Sequence, residues 1–118
     1  MPVLPFKITT LLFIRDVEER FLLLKRTKSP NLGCWSPPGG KLEMDRGESP
    51  TECAIREARE EVGVRLTPDD LHLWGMVSEK SFEGSGHWLM FMFDVHPKID
   101  AHPPKIDEGH FRFFARPE

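Results

Sequence analysis

Three glutamates, Glu57, Glu60 and Glu61, stand at positions i, i+3 and i+4 of one segment, with Arg56 directly before the first. At 3.6 residues per helical turn this spacing projects the three carboxylates from one face. Like charges at such separations repel by roughly 0.2–0.5 kcal/mol per pair. A helix selected for stability alone has little reason to carry them together. A hard divalent cation resolves the conflict, because carboxylate oxygens are its preferred ligands. Upstream, Pro37-Pro38-Gly39-Gly40 reads as a loop whose glycines let the backbone approach a ligand closely. Magnesium keeps several waters and takes one or two carboxylates plus substrate phosphate oxygens. Together the two features point to a site that assembles around a phosphorylated ligand. The competing reading is an acidic interaction surface without metal, balanced by Arg56 and Arg59.

The element that must position these carboxylates is a helix from Ser49 to Gly63. Ser49 is an N-cap, Pro50 suits the first helical position, Glu52 completes a capping box, and Gly63 suits the left-handed stop. Thr51, Ile55, Ala58 and Val62 fall along one stripe that should face the core. Around the helix, runs of β-branched and large apolar residues predict strands over 6–15, 21–26, 71–78, 87–95 and 111–115, the first two paired as a hairpin. Residues 28–40 read as loop. Strands, one central helix and further strands predict an α+β domain with mixed sheets, occupying 1–118 as a single unit.

Composition narrows the function classes. The 118 residues carry a formal net charge of -3, which is no footprint for duplex nucleic acid. A bound cation would supply positive charge locally for a nucleotide. Two cysteines, Cys34 and Cys53, form no disulfide framework and no metal motif, and both read as structural thiols. The five histidines have no zinc-ligand spacing. The N-terminus has no secretory pattern, and Leu11–Ile14 is far shorter than the ~20 residues a membrane span needs. The reading is a soluble cytoplasmic protein without membrane partners.

The segment Gly39-Gly40-Lys41-Leu42-Glu43, then Gly47-Glu48, then Arg56-Glu57-Ala58-Arg59-Glu60-Glu61-Val62-Gly63-Val64 resembles the Nudix box of Nudix hydrolases (MutT-like). The family pattern is G-x5-E-x7-R-E-U-x-E-E-x-G-U, with U a bulky aliphatic. From Glu48 onward the spacing is in register. Gly40 precedes Glu48 by two residues more than the pattern, which places a longer turn at Met44-Asp45-Arg46-Gly47. Ala58 is smaller than the pattern asks, yet suits a buried helix face. The resemblance implies a Nudix-like α/β/α sandwich with a mixed sheet and one catalytic helix. It also implies a helix after the last strand, for which this chain shows no sequence. The surface such a helix covers would be exposed or used in a homodimer.

The resemblance further implies magnesium, or manganese in its place, on Glu57, Glu60 and Glu61, with the Gly39 carbonyl as a further ligand. Arg56 would orient Glu57 by a charge-assisted hydrogen bond. Glu48 would assist a second metal, act as base, or only join loop to helix. The general base would be Glu57 or Glu108, the latter in Asp107-Glu108-Gly109 before the last strand. Four residues are candidates for substrate: Arg26 and Lys41 for phosphate, and Phe82 and Trp88 for stacking on a base, each with a plain packing or surface alternative. The implied activity is magnesium-dependent hydrolysis of a diphosphate linkage in a nucleoside diphosphate joined to another moiety. The alternative is a catalytically silent module that binds a nucleotide or ADP-ribose.

Overall fold

Thr9 and Thr10, adjacent and so on opposite faces of one strand, are both buried, which marks the first strand as covered on both sides. The computed structural model describes residues 6–27, 33–80, 86–103 and 109–115. Strand β1 (Phe6–Phe13) is flanked on both edges, antiparallel by β4 (Gly39–Lys41) and parallel by β6 (His87–Val95). Strand β5 (Leu71–Glu79) adds antiparallel to β6, giving a mixed sheet in the order β4-β1-β6-β5. A second, antiparallel sheet runs β3-β2-β7, from Trp35–Ser36, Phe21–Arg26 and Gly109–Phe114. Leu12 and Ile14 of the first sheet region and Leu22 and Leu24 of the second meet in one core with Phe93, Val95 and Phe111.

The expected hairpin between the first two strands forms only at its turn. Asp16 Oδ1 accepts from the backbone N–H of Glu18 and Arg20, which fixes the reversal, and Leu22 N–H donates to the Ile14 carbonyl. Beyond the Arg15–Phe21 bridge the strands part, because both edges of β1 are taken by β4 and β6. Short strand β3 falls inside the stretch read as loop, and β4 begins at its end.

Helix α1 (Pro50–Glu57) starts as its sequence dictates. Ser49 Oγ accepts from Glu52 N–H, and Glu52 Oε1 accepts from Ser49 N–H. From Ala58 to Val62 the helix widens into a π turn, ended by Gly63 at φ 79°. The face on the core is Cys53, Ala54, Ala58 and Val62, whereas Thr51 and Ile55 are only half-buried. Small side chains at 53 and 54 let the helix sit close to β1, which moves the buried stripe away from the expected one. This helix covers one face of the mixed sheet; among the described residues no α-helix covers the other.

Candidate active site

Two adjacent glycines bring the loop strand and the helix together, each for a different reason. Gly39 adopts φ 154°, and a Cβ there would stand 2.0 Å from the Thr10 carbonyl oxygen. Only glycine lets β4 lie this close to β1. At Gly40 a Cβ would meet the Glu57 carboxylate, 2.4 Å from Oε1. The missing side chain is thus the seat of the Glu57 carboxylate. Thr10, fully buried beneath the loop, points its hydroxyl at the Gly40 carbonyl at 3.4 Å.

Arg56 is the hub of the site. Its Nε and Nη2 grip Glu48 at 2.7 and 2.9 Å, a two-pronged guanidinium–carboxylate pair. Nη1 donates to Glu57 Oε1 at 2.9 Å and to Glu60 Oε2 at 3.2 Å. Nη2 also donates to the Lys41 carbonyl at 3.1 Å, which ties the helix to the end of β4. Glu43 adds an ion pair at 3.4 Å. Arg56, Glu48 and Glu57 are largely shielded from solvent, with side-chain exposures of 14, 10 and 11%, while Glu60 stands at 51%.

The electrostatics separate the carboxylates into roles. The Arg56 fork, helped by the Glu43 backbone N–H, holds the Glu48 carboxyl down at about 2. Burial pushes Glu57 upward; a hydrogen bond with Glu61 and the charge of Arg56 oppose that rise. Burial, tempered by Thr10, also raises the Cys53 thiol to about 11, which makes it an inert packing group.

A cleft of about 530 Å³ opens beside this hub. Glu57, Glu61, Gly39 and Gly40 line one side, and Arg26, Lys41 and Trp88 line it as well. Glu48 and Glu60 are not among its lining residues. The π turn explains the divergence of Glu60 from Glu61. Closing the ring at i→i+5 widens the turn, so side chains four apart come into line and those three apart swing away. Glu60 therefore stands at the rim, more exposed than Glu57 and Glu61. Phe82 and Glu108 lie outside the described residues.

Trp88 is only 7% exposed, and the ammonium groups of Lys7 and Lys41 stand 5.1 and 5.7 Å from its ring centroid. Its ring therefore serves the lysines rather than presenting an open face to a base. Its indole Nε1 is buried and has no hydrogen-bond partner among the described residues. Sequence reasoning missed Thr10, Glu43 and Glu79. The first two are placed by pairing across β1 and β4 and by the long turn, and Glu79 by its pairing with Trp88 at the cleft.

The donor set suits a hard cation. Glu57 and Glu61 are partly desolvated carboxylates sharing a hydrogen bond, the Gly40 notch leaves room at their oxygens, and the Gly39 backbone adjoins them. Glu57 and Glu60 share one guanidinium nitrogen, so Glu60 is held beside them at the rim. Among the described residues no group of three His, Cys, Asp or Glu side chains forms a ready cation cage. An open magnesium site, which keeps waters and takes phosphate oxygens, requires none. Among the described residues no helix is long and apolar enough to cross a membrane.

Comparison with known proteins follows the same outline. The NUDIX domain model matches residues 5–117. An ADP-ribose pyrophosphatase of Methanocaldococcus jannaschii is 35% identical over 80 residues, which is 68% of this chain and 45% of that protein. The Nudix hydrolase YvcI of Bacillus subtilis is 28% identical over 101 residues, 85% of this chain and 61% of that protein. The crystal structure of a MutT protein from Methanosarcina mazei Go1 superposes with a TM-score of 0.76 at 29% identity, covering 98% of this chain and 80% of that one. The chain thus spans about half the length of the curated relatives it matches.

Proposed function

The chain belongs to the NUDIX family, and from that premise we propose that it hydrolyses a diphosphate linkage in a nucleoside diphosphate joined to another moiety, with magnesium. The observation that carries this reading is the Glu57 carboxylate seated in the Gly40 notch, beside Glu61 and facing a cleft that also holds Lys41 and Arg26. Glu57, Glu61, Glu60 and the Gly39 carbonyl would hold the ion. When bound, it supplies positive charge for the phosphoryl oxygens and acidifies water.

The chain's own groups do the rest. Lys41 and Arg26 would bind phosphate oxygens from the cleft wall. Glu57, at the wall of the cleft, would take the proton of the attacking water. Arg56 orients Glu57, and Glu48 anchors Arg56. A carboxyl held at about 2 is too weak a base at neutral pH, so Glu48 is a positioning residue in this scheme. The free thiols of Cys34 and Cys53 support a cytoplasmic setting, and single-domain organisation over 1–118 is part of the same reading.

The Methanocaldococcus jannaschii relative makes ADP-ribose the first substrate to try. ADP-ribose incubated with the protein and magnesium should yield AMP and ribose 5-phosphate, with solvent 18-O in one product. Glu57→Gln should abolish turnover while leaving the fold intact. A panel of nucleoside diphosphate derivatives left uncleaved in magnesium and in manganese would overturn the assignment.

A further inference from the structure

Two lysines from different strands reach one aromatic ring. Lys7 lies opposite Trp88 in the β1–β6 ladder, and Lys41 lies opposite Thr9 in the β1–β4 ladder. Residues two apart on a strand share a face, so Lys7, Lys41 and Trp88 project from the same side of the mixed sheet. The two lysines are diagonal neighbours across the β1–β4 pair, about 7–8 Å apart at the backbone. Their ammonium groups stand 5.1 and 5.7 Å from the Trp88 ring centroid.

Among the described residues neither lysine has a carboxylate within ion-pair distance. Glu79 faces Trp88 from its other flank, in β5, two strands away from Lys7, and pairs with neither lysine. Glu57 and Glu43 are held by Arg56. The ring attracts both cations but leaves their charge in place. The indole Nε1 of the same ring is buried without a partner among the described residues, so this wall carries a surplus of donors. Like charges gathered at one point with nothing to neutralise them are the converse of the helix glutamates, and they suit an anion.

We propose that Lys7 is a further substrate-binding residue, which holds with Lys41 a phosphoryl group beyond the scissile diphosphate. The inference rests on the function proposed above and narrows its substrate class to compounds with a chain of at least three phosphoryl groups. The order of residues along β1 sets that length. Leu11 lies opposite Gly39, beside the Glu57 seat; Thr9 lies opposite Lys41; Lys7 comes last. From Leu11 to Lys7 the strand advances by about 13 Å. A diphosphate cleaved at the Gly39 end reaches Lys41, and a third group continues to Lys7.

Calorimetry with inorganic pyrophosphate and inorganic triphosphate, in magnesium, reads this without a nucleotide. The parent should bind triphosphate about tenfold more tightly than pyrophosphate. Lys7→Gln should erase that difference while keeping the parental affinity for pyrophosphate, and Lys7→Arg should retain it. Lys25→Gln, at an exposed position in the other sheet, should leave it unchanged. If Lys7→Gln lowers Tm, Lys7→Met, which keeps an apolar stem on the Trp88 ring, is measured in its place. Equal affinity for the two anions in the parent overturns the proposal. So does a triphosphate advantage that outlasts the loss of Lys7, one that Lys25→Gln removes as well, or an equal loss of pyrophosphate binding in the Lys7 variants. Cleavage of a diphosphate substrate by a protein with no triphosphate preference would remove the role of Lys7 and leave the proposed function standing.

Discussion

Substituting alanine at Gly40 isolates the seat of the Glu57 carboxylate from everything else in the fold. The added Cβ would lie 2.4 Å from Glu57 Oε1, 2.5 Å from Cδ and 2.9 Å from Oε2, where ordinary contact begins at 3.4 Å. The carboxylate must therefore retreat by about 1 Å. A displacement of that size at a reacting group costs about 10²-fold in rate. The fold is spared, because the obstacle is the far end of a side chain and Gly40 is not among the positive-φ glycines. Removing glycine freedom from the unfolded chain even favours folding by roughly 0.4–1 kcal/mol. The neighbouring position supplies the contrast. At Gly39 the Cβ meets backbone of a central strand at 2.0 Å, and φ is 154°; nothing there can retreat. Gly39→Ala should cost at least about 2 kcal/mol of stability. Gly40→Ala should keep the parental Tm and lose about two orders of magnitude in kcat/KM. Thermal melts and substrate turnover on both variants decide it. Parental kcat/KM in Gly40→Ala, or matching losses of Tm in the two variants, would refute the reasoning.

Three further outcomes follow from the same geometry. Arg56→Lys keeps the charge but cannot grip Glu48 while reaching Glu57, so it should destabilise by about 3 kcal/mol in urea unfolding; stability within error of the parent would contradict the hub. Glu48, lowered from 4.5 to about 2 in the folded state, contributes stability that is fully present above about 4.5 and is lost as pH falls toward about 2. ΔG measured across that window should therefore fall in the parent and much less in Glu48→Gln. Finally, a thiol reagent at neutral pH should modify the exposed Cys34 and spare Cys53, which is buried with its thiol raised to about 11, until denaturant is added. Equal reaction of both in the native state would contradict the packing.

The helix start was the most legible feature, because Ser49, Pro50 and Glu52 act through bonds within one turn. The strand spans 21–26 and 87–95 were equally readable, since their apolar runs end where the ladders end. What the sequence hid is set by distant partners. Nothing local says that β1 is claimed on both edges, and so the first two strands looked like an extended hairpin. The stripe on the helix was placed on Thr51 and Ile55 because nothing local says that the sheet approaches over the small Cys53 and Ala54. The acidic residues were found by type and spacing. Their sorting into a seated Glu57, a rim Glu60 and a clamped Glu48 depends on Arg56 and on a missing Cβ sixteen positions before the arginine.

The π turn from Ala58 to Val62 ties two duties of one short segment together. Ala54, Ala58 and Val62 repeat every fourth residue against the sheet, and Glu57 and Glu61 repeat at the same interval toward the cleft. An ordinary α-helix would wind both columns around its axis; the wider ring keeps each of them nearly upright. Deleting one residue here would restore standard winding and shear the two columns together. Core and cleft would fail in a single step, which no single side-chain change in this segment would bring about.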